Sequence, residues 1–279
     1  MKLCPNCNSE FDSKEWLCPV CNCKTFKPLS GKIGFESEYF DELFKVESES
    51  FWFCSRNRLI IWALKKHFPH AKNFLEVGCG TGFVLSGIEK KIPGLDLSGS
   101  EVFAEGIKFA RKRTKAKLFQ MDVRAISFKN EFDVIGAFDV IEHIEEDEIA
   151  IQVMYEAMKP GGGIILTVPQ HKALWSIHDE YAHHIRRYSA KELVKKVKQA
   201  GFSIIQLTSF TTLLLPVLIA FRKSFRGNDI KKDIMSQYKM NEFTSRLLEK
   251  ILDFERMLIE HGVKFPLGGS LMLIGKKNL

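Results

Sequence analysis

Three glycines and an acidic residue stand close together in the segment FLEVGCGTGFV, residues 74–84. Their order is Glu76, Gly78, Gly80 and Gly82, directly after an apolar run that predicts a buried strand. A dinucleotide fingerprint would require a glycine at position 83, which is Phe, and a P-loop would require a following Gly-Lys-Ser/Thr. The segment therefore predicts a turn at the carboxyl end of a strand, where a non-phosphate ligand approaches the backbone.

Four of the seven cysteines form two Cys-x-x-Cys pairs, Cys4 with Cys7 and Cys18 with Cys21. Each pair can present two thiolates to one ion, and the two pairs complete a closed tetrahedral zinc shell, which indicates a structural site. Because the segment has few large apolar residues, zinc binding would supply its folding free energy. Cys23 is an alternative to Cys21 as the fourth ligand, and solvent-exposed redox cysteines are the alternative to a zinc site.

Composition limits the classes of protein to consider. With 279 residues, of which 45% are hydrophobic, the chain can bury one sizeable core and a small additional unit. The net charge of +7 allows an anionic partner, such as a membrane surface or nucleic acid, without requiring one. The start of the sequence, MKLCPNCNSEFD, lacks the apolar segment of a secretory signal, so a cytoplasmic location with reduced thiols is expected.

Short apolar runs alternate with amphipathic stretches from Asn73 onward, which is typical of a doubly wound α/β sheet. Strands are predicted at 73–78, 92–96, 117–121, 133–138, 163–168 and 203–209, and in the last apolar run, SLMLIG. Helices are predicted near 82–90, 99–113, 147–158 and 189–200. The sequence therefore predicts a mostly parallel seven-stranded Rossmann-like α/β sheet, with a small N-terminal zinc ribbon and a helical insertion before the last strand.

The predicted domains are a zinc ribbon at 1–30, a linker with a helical lid at 31–72, and the α/β domain at 73–279. The insertion, 211–266, begins with an apolar run that leads into a basic cluster. Because this run is far shorter than the ~20 residues needed to span a bilayer, residues 213–232 suggest a peripheral membrane contact. A helix packed on the sheet or in a dimer contact is the alternative.

Several motifs together resemble a known family. LEVGCGTG is similar to motif I of class I S-adenosylmethionine-dependent methyltransferases, and further segments follow in the family's order: GLDLS, FQMDV, FDVIGAFDVIEHI and MKPGGGIILTVP. The resemblance covers roughly residues 40 to 210 and the last strand. It implies S-adenosylmethionine as the cofactor and methyl transfer as the reaction.

The resemblance also implies which residues bind the cofactor. Asp96 matches the acid that accepts from both ribose hydroxyls, and a carboxylate does offer two acceptor oxygens to a vicinal diol. Asp122 resembles the residue that accepts from the adenine amino group. The implied set is Glu76, Gly78, Cys79, Gly80, Gly82, Asp96, Leu97, Asp122, Val123, Phe138 and Asp139. Taken singly, Asp96 could instead be a helix cap, Asp122 a turn residue, and Glu76 purely structural.

Histidines are the candidates for the chemical step. A base is needed only where an acceptor hydroxyl loses a proton, and His143 after the fourth strand and His171 after the fifth are the candidate catalytic residues. Asp139, Glu142 and His143 share one side of a helix by their spacing. A similar arrangement in quinone O-methyltransferases has been linked to a divalent cation, so a cation site is a hypothesis here and a simple pocket wall the alternative.

The loop from Val168 to Ser189 is rich in histidine and charge, and is predicted to hold the acceptor. Arg186, Arg187 and Tyr188 would face an anionic group, unless the loop is a solvated charged segment. This loop and the segment SFWFCSRNR resemble a branch of the family associated with glycan or lipid-linked substrates. Trp52 and Arg56, in the second segment, would then belong to a lid over the cofactor.

The predicted function is S-adenosylmethionine-dependent methyl transfer to a small-molecule, saccharide or lipid-linked acceptor, as an O-methylation. One alternative is an RNA methyltransferase that contacts RNA through the zinc ribbon. A nucleic-acid partner is less favoured, because the sequence lacks the Asn/Asp-Pro-Pro-aromatic segment and the Pro-Cys nucleophile of such enzymes. The other alternative is a non-catalytic cofactor-binding scaffold, and the oligomeric state is left open.

Overall fold

The computed structural model describes residues 2–3, 9–11, 18–21, 39–126, 128–224 and 241–278. The strands are β1 (Lys2–Leu3), β2 (Glu10–Phe11), β3 (Asn73–Val77), β4 (Asp96–Glu101), β5 (Lys117–Gln120), β6 (Phe132–Phe138), β7 (Met158–Pro169), β8 (Phe202–Phe210) and β9 (Ser270–Lys277). The helices are α1 (Tyr39–Val46), α2 (Phe51–His67), α3 (Phe83–Lys91), α4 (Ala104–Arg113), α5 (Asp147–Ala157), α6 (Ile177–Tyr181), α7 (Ala190–Gln199), α8 (Leu215–Ser224) and α9 (Glu242–Glu260). Strands and α-helices alternate from β3 to β8, as the apolar periodicity predicts, except between β5 and β6, where the described residues contain only a short 3-10 turn, Val123–Ala125.

Seven strands form one sheet in the order β5-β4-β3-β6-β7-β9-β8. Neighbouring strands are parallel except at β9, which is antiparallel to both β7 and β8. The prediction of a mostly parallel, seven-stranded Rossmann-like sheet is therefore confirmed. After β3 the chain builds outward to β4 and β5 and then returns to β6, so the strand order reverses between β3 and β6. In open α/β sheets this point forms the ligand crevice, outside the carboxyl ends of the strands.

The core lies on both faces of the sheet. Along β3, Phe74 packs into the cluster under α2, α3 and α4, whereas the next residue, Leu75, packs into the cluster under α5 and α7. Val134 and Ile135 of β6 divide between the same two clusters. All four side chains are fully buried. Strands that are covered on both faces read as continuous apolar runs, which explains why β3 and β6 were predictable.

The position of β4 differs from the prediction. The strand was expected at 92–96 and a helix from 99, but β4 begins at Asp96 and α4 begins at Ala104. The segment Ser98-Gly99-Ser100 has weak strand propensity, yet it is paired with β3 on one side and β5 on the other. A Cβ at Gly99 would lie 2.9 Å from Cys79 Sγ, so small residues are required where β4 passes the glycine turn. Tertiary pairing overrides local propensity here.

The insertion between β8 and β9 contains α8 and α9. Helix α9 packs along α2, where Arg58 pairs with Glu249 and Asp253 at 2.7 and 2.8 Å. The buried carboxylate of Glu255 accepts the backbone N–H groups of Thr212 and Leu213 at 2.8 and 2.7 Å. The start of α8 is therefore fixed to α9, and α9 is fixed to α2.

The N-terminal segment is described only in part. Strands β1 and β2 form an antiparallel pair, and Cys18 is buried against Phe11, with Cys21 packed beside them. The Ser9 hydroxyl lies 3.2 Å from Cys18 Sγ. The other two predicted zinc ligands, Cys4 and Cys7, lie outside the described residues, as does the alternative ligand Cys23. The zinc ribbon therefore stays a prediction.

Candidate functional site

A cavity of about 500 Å³ opens at the carboxyl ends of the central strands, and α1 and α2 form its roof. Most of the predicted site residues line it: Glu76, Gly78, Cys79, Gly80, Asp122, Val123, Phe138, Asp139 and His143. Four predicted residues are not in its wall: Gly82, Asp96, Leu97 and His171. The cavity thus occupies the crevice where the strand order reverses, which is the expected binding edge of this architecture.

The glycine turn after β3 forms the floor of the cavity. Gly78 and Gly80 have φ values of +66° and +51°, in the left-handed region that favours glycine. A Cβ on Gly78 would lie 2.6 Å from the Val140 side chain, whereas beside Gly80 the nearest atom is a ring carbon of Phe40 at 4.0 Å. A ligand can therefore reach the backbone at Gly80. Gly82 instead packs closely on α4, and a Cβ added there would lie 2.9 Å from the Ala110 Cα.

The acid at the end of β4 is Glu101, and this corrects the prediction for Asp96. Asp96 pairs with Asn73 at the amino end of the sheet, where its side chain is 57% exposed and contacts Lys117 Nζ at 2.8 Å. Leu97 is buried beneath the sheet at the same end. Glu101 lines the cavity and is only 6% exposed. The structure therefore places Glu101 in the cavity wall and Asp96 at the opposite end of the same strand.

Glu101 is held in place by backbone amides. Its Oε2 accepts from Gly80 N at 2.9 Å, and its Oε1 accepts from Val102 N at 2.8 Å and Phe103 N at 3.1 Å. Burial raises the pKa of Glu101 above its usual value, although these N–H groups act in the opposite direction. The carboxylate links the glycine turn to β4. The only sequence signal for it was an acid that follows a run of small residues.

Asp122 lies in the cavity wall and is engaged by an arginine two residues later. Its Oδ1 accepts from the backbone N–H of Arg124 at 2.9 Å, and its Oδ2 accepts from Arg124 Nη2 at 2.7 Å. Arg124 also contacts Glu146 Oε2 at 2.7 Å. A ligand at this edge would share the Asp122 carboxylate with Arg124 and meet the buried side chain of Val123. This guanidinium stands only two residues from the acid, but no local pattern in the sequence marks it as a partner of Asp122.

Helix α2 supplies an aromatic and cationic wall. The Arg56 guanidinium lies 4.5 Å from the centre of the Trp52 ring and 5.4 Å from that of Phe53, which suits a cation–π contact. Arg56 also pairs with Asp139, which follows β6 with a φ of +57°. Non-glycine residues in this backbone region are strained and are found preferentially at functional sites. Trp52 and Arg56 line the cavity, and their role in a lid over the cofactor stays a prediction.

A buried ion pair fixes the roof to the glycine turn. Glu47 follows α1 and accepts from both Arg113 of α4 and the Thr81 hydroxyl. Arg113 also donates to the Phe44 carbonyl and lies 4.1 Å from the centre of the Phe44 ring. Burial raises the pKa of Glu47, and the nearby Arg113 opposes that effect. The roof is thereby tied to the same turn that forms the floor.

One carboxylate and two imidazoles meet beside Asp139. Potential ligand atoms of Glu142, His143 and His184 all lie within 4.8 Å of one another, and the two histidine rings are 4.8 Å apart between centres. Glu142 is fully buried, and neither carboxylate oxygen has a hydrogen-bond partner in the described part of the chain. Burial and the neighbouring charge of Asp139 raise the pKa of Glu142 well above its usual range. The predicted set of Asp139, Glu142 and His143 is thus corrected, because Asp139 pairs with Arg56 and His184 completes the cluster.

His184 is oriented by a buried acid. Its Nδ1 lies 2.8 Å from Asp179 Oδ1, and its Nε2 lies 3.8 Å from Glu142 Oε1. Although burial acts against it, the hydrogen bond from His184 and the charge of Arg187 lower the pKa of Asp179 to about 2. An anionic Asp179 accepts a hydrogen bond from Nδ1–H, which leaves the lone pair of the neutral imidazole on Nε2, on the side of Glu142. Carboxylates hold histidines in this way both in metal sites and in proton-transfer sites.

The cluster can therefore perform either of two chemical tasks. A carboxylate with two imidazoles is a nitrogen–oxygen ligand set that can hold a divalent transition-metal ion. Without a metal ion, the same imidazoles can accept a proton from a hydroxyl group in the cavity. The cluster borders the cavity through His143 and His184, next to Asp139 and Ile185.

The loop after β7 differs from the prediction in the roles of its cations. Arg187 is buried and donates to Asp179 and to the Gln170 carbonyl at 2.7 and 2.9 Å. Tyr188 is fully buried and donates to Asp147 at 2.5 Å, and Arg186 pairs with the same carboxylate at 3.0 Å. These side chains anchor the loop and do not face an anionic acceptor. The part of the loop that lines the cavity is Ala182, His184 and Ile185.

His171, the second predicted catalytic residue, lies away from the cavity. It stands after β7 with a φ of +62°, and its backbone N–H donates to the Tyr188 carbonyl at 3.0 Å. Burial and the nearby charge of Arg187 lower the pKa of its imidazole. The structure therefore brings only His143 of the two predicted histidines to the site. His184 was missed because it became significant only through its contact with Asp179.

Comparison with known proteins gives one family. Residues 50–207 match the family model described as a methyltransferase domain. A probable S-adenosylmethionine-dependent methyltransferase of Mycolicibacterium smegmatis is 24% identical over 165 residues, which are 57% of this chain and 62% of that protein. The mitochondrial ubiquinone biosynthesis O-methyltransferase of Rattus norvegicus is 29% identical over 170 residues, which are 56% of this chain and 46% of that protein.

Solved structures agree in fold. The plantazolicin methyltransferase in complex with SAH has a TM-score of 0.56 and 16% identity, with 87% of this chain and 90% of that chain covered. A possible histamine N-methyltransferase of Thermotoga maritima has a TM-score of 0.53 and 16% identity, with 86% and 95% covered. The chain spans about half the length of most of the curated relatives it matches.

Replacing Asp179 with Asn should reveal how much the buried carboxylate stabilises the loop. The change keeps the shape but leaves buried Arg187 without its anion, so we expect a loss of about 3–5 kcal/mol of unfolding free energy at neutral pH. The folded pKa of about 2 is below the value of about 4 in an unfolded chain. The stabilisation is therefore complete above about pH 4 and lost as the pH falls toward 2.

Urea unfolding of the wild type and Asp179→Asn from neutral pH toward pH 3 measures this effect. The free-energy difference between the two proteins should narrow as the pH falls. Glu180→Gln, at an exposed neighbouring position, is the matched control and should change stability by less than about 0.5 kcal/mol. A difference that does not depend on pH, or an equal loss in the control, would contradict the assignment.

Proposed function

This chain belongs to the class I S-adenosylmethionine-dependent methyltransferases, and we propose that it transfers a methyl group to a hydroxyl of a small-molecule, saccharide or lipid-linked acceptor. The observation that carries the proposal is the cavity itself. Its floor is an open glycine turn, and its edge carries the buried acid Glu101. S-adenosylmethionine supplies a methyl group on a positively charged sulfur, and the protein has to hold it, align it and exclude water.

The residues that line the cavity suit S-adenosylmethionine as the methyl donor. The exposed backbone at Gly80 leaves space that a side chain would fill, which suits a ligand lying against the turn. We assign the ribose contact to Glu101, because a carboxylate offers two acceptor oxygens to a diol. Adenine would lie beside Asp122 and Val123, and the methionine end of the cofactor would lie beside Asp139. These assignments rest on position in the cavity wall.

The acceptor site is assigned to the side of the cavity bordered by His143 and His184. O-methylation requires removal of a hydroxyl proton, and these imidazoles lie where the acceptor oxygen would stand next to the methyl group. Ubiquinone biosynthesis O-methyltransferases are among the relatives, which favours an oxygen acceptor. A divalent cation on Glu142, His143 and His184 is the second way to activate that oxygen. It is favoured by the Glu142 carboxylate, whose two oxygens have no hydrogen-bond partner among the described residues.

The N-terminal cysteines extend the proposal. We propose a structural zinc ion held by Cys4, Cys7, Cys18 and Cys21, because two Cys-x-x-Cys pairs provide four thiolates and no open position. Thiolate ligands also suit the reducing conditions of the cytoplasm, where we place the protein. Within the described residues, Cys18 and Cys21 pack together around Phe11, as two ligands of one ion would.

The ribose assignment predicts that, of two acids on β4, only Glu101 affects the affinity for S-adenosylmethionine. Glu101→Gln should lower the affinity for S-adenosylmethionine by about ten- to a hundredfold, because hydrogen bonds to a charged acceptor are worth about 1.5–3 kcal/mol. Asp96→Asn, at the other end of the same strand, should leave the affinity within about twofold. Isothermal titration calorimetry measures both. Weaker binding by Asp96→Asn, or unchanged binding by Glu101→Gln, would reverse the assignment.

The proposed role of His143 as proton acceptor predicts different transfer rates for variants of the two predicted histidines. With a radiolabelled methyl donor, the protein is offered glycolipid extract, quinol extract and ribosomal RNA, and transfer is expected to one of the first two. His143→Gln should slow that transfer by about 10²–10⁴-fold, the usual contribution of a proton-accepting side chain. His171→Gln, outside the cavity, is the control and should retain the rate. Methylation of RNA alone would refute the acceptor class, and equal rates in the two variants would refute the role of His143.

The zinc proposal is tested by elemental analysis. The purified protein should contain about one zinc ion per chain, because four thiolates make one closed shell. Cys18→Ser should lose the ion and the order of the N-terminal segment, while the affinity for S-adenosylmethionine stays within about twofold because that site lies elsewhere. Cys54→Ser, outside the two pairs, should keep the ion. Absence of zinc from the wild-type protein would remove the proposal.

A further inference from the structure

Exposed apolar side chains are concentrated between β8 and β9. Thirteen large hydrophobic side chains are exposed among the described residues, and eight of them belong to 211–268. They are Leu213, Val217, Phe243, Leu247, Phe254, Met257, Val263 and Leu267. Scattered exposed apolar residues are normal on a monomer, but a concentration of them marks a surface that contacts something else.

Helix α9 carries the densest part of this surface. Five residues follow one another at spacings of four and three, so they lie on one side of the helix. We call this set the α9 face: Phe243, Leu247, Lys250, Phe254 and Met257. Its apolar members are between 41% and 80% exposed. The opposite side carries the buried residues of the helix, Leu252, Glu255 and Ile259.

On α9 the acidic side chains have partners, whereas one basic side chain pairs with no described carboxylate. Each acidic side chain of the helix has a partner in the described part of the chain: Glu242 pairs with Arg246, Glu249 and Asp253 with Arg58, Glu260 with Arg256, and Glu255 accepts backbone N–H groups. Lys250, in the middle of the α9 face, is exposed and pairs with no described carboxylate. The face is therefore apolar, with a positive charge at its centre that no carboxylate among the described residues pairs with.

We propose that the α9 face docks on an anionic membrane surface. Apolar side chains can enter the boundary between headgroups and acyl chains, while the lysine stem lies along them and its ammonium reaches the lipid phosphates. The net charge of +7 adds a general attraction. A second protein helix on this face would bury the Lys250 ammonium among four apolar side chains, which is costly without a paired anion.

The contact is peripheral and is joined to the cavity by α2. No helix in the described ranges is long and apolar enough to cross a membrane. Arg58 of α2 binds Asp253 of α9, and two residues earlier Arg56 of α2 stacks on Trp52 in the cavity wall. Docking through α9 would bring that wall near the bilayer, which suits an acceptor carried in lipid. The proposed surface itself does not depend on which reaction the cavity performs.

Co-sedimentation of the full chain with vesicles tests the proposal. One set is phosphatidylcholine alone, and the other contains about one third phosphatidylglycerol, to supply anionic headgroups. We expect binding to the anionic set that weakens with salt. Leu247→Gln/Phe254→Gln should lower the partition at least about tenfold. Ile149→Gln/Ile205→Gln, at exposed apolar positions outside the insertion, should leave it unchanged, and Lys250→Glu should weaken binding mainly to the anionic set.

Three results would overturn the proposal. These are absence of binding to both vesicle sets, an equal loss in the two double variants, and a vesicle-inert protein whose dimers, seen by light scattering, dissociate in Leu247→Gln/Phe254→Gln. The third result would assign the face to a second copy of this chain. Calorimetry with S-adenosylmethionine on every variant verifies the fold. Vesicle binding without cofactor binding would count against the proposed function and leave the docking surface in place.

Discussion

The sharp turn after β3 is the constraint on which the rest of the site depends. The backbone passes through the left-handed region at Gly78 and Gly80, so the chain reverses at the strand end without a side chain in the way. The freed amide of Gly80 donates to Glu101 of β4, and Thr81 donates to Glu47 of the roof. One turn thus joins the floor, the neighbouring strand and the roof, and a ligand that lies against it meets all three.

Electrostatics then distinguishes structural acids from available ones. Three arginines pair with acids at the cavity: Arg56 with Asp139, Arg113 with Glu47, and Arg124 with both Asp122 and Glu146. Glu101 is held by three backbone amides and still lines the cavity, whereas Glu76 keeps one buried oxygen and Glu142 two without a hydrogen-bond partner among the described residues. Burial raises the pKa of both glutamates well above the usual range. Because buried carboxylate oxygens without hydrogen bonds are costly, these two glutamates are the candidates to take up a proton or contact a ligand.

Helix α2 connects this chemistry to the outside of the molecule. On one side it places Arg56 and Trp52 over the cavity, and on another side its Arg58 binds α9. The insertion before β9 is therefore continuous with the wall of the active cavity. An α/β sheet with a fixed donor site can in this way gain a separate surface for locating its acceptor, since loops and insertions vary without disturbing the strand order.

The sequence by itself determined the sheet and the glycine turn, because buried parallel strands are continuous apolar runs and a glycine turn has a local pattern. The kind of cofactor was implied by the resemblance of its motifs to a known family. The sequence did not determine the end of β4, where small residues concealed a strand and the acid was placed at Asp96 in place of Glu101. It also did not reveal that Asp179 orients His184 or that Arg56, 83 positions earlier, meets Asp139. Those partners are distant in the chain or depend on a loop's path, so only tertiary packing decides them.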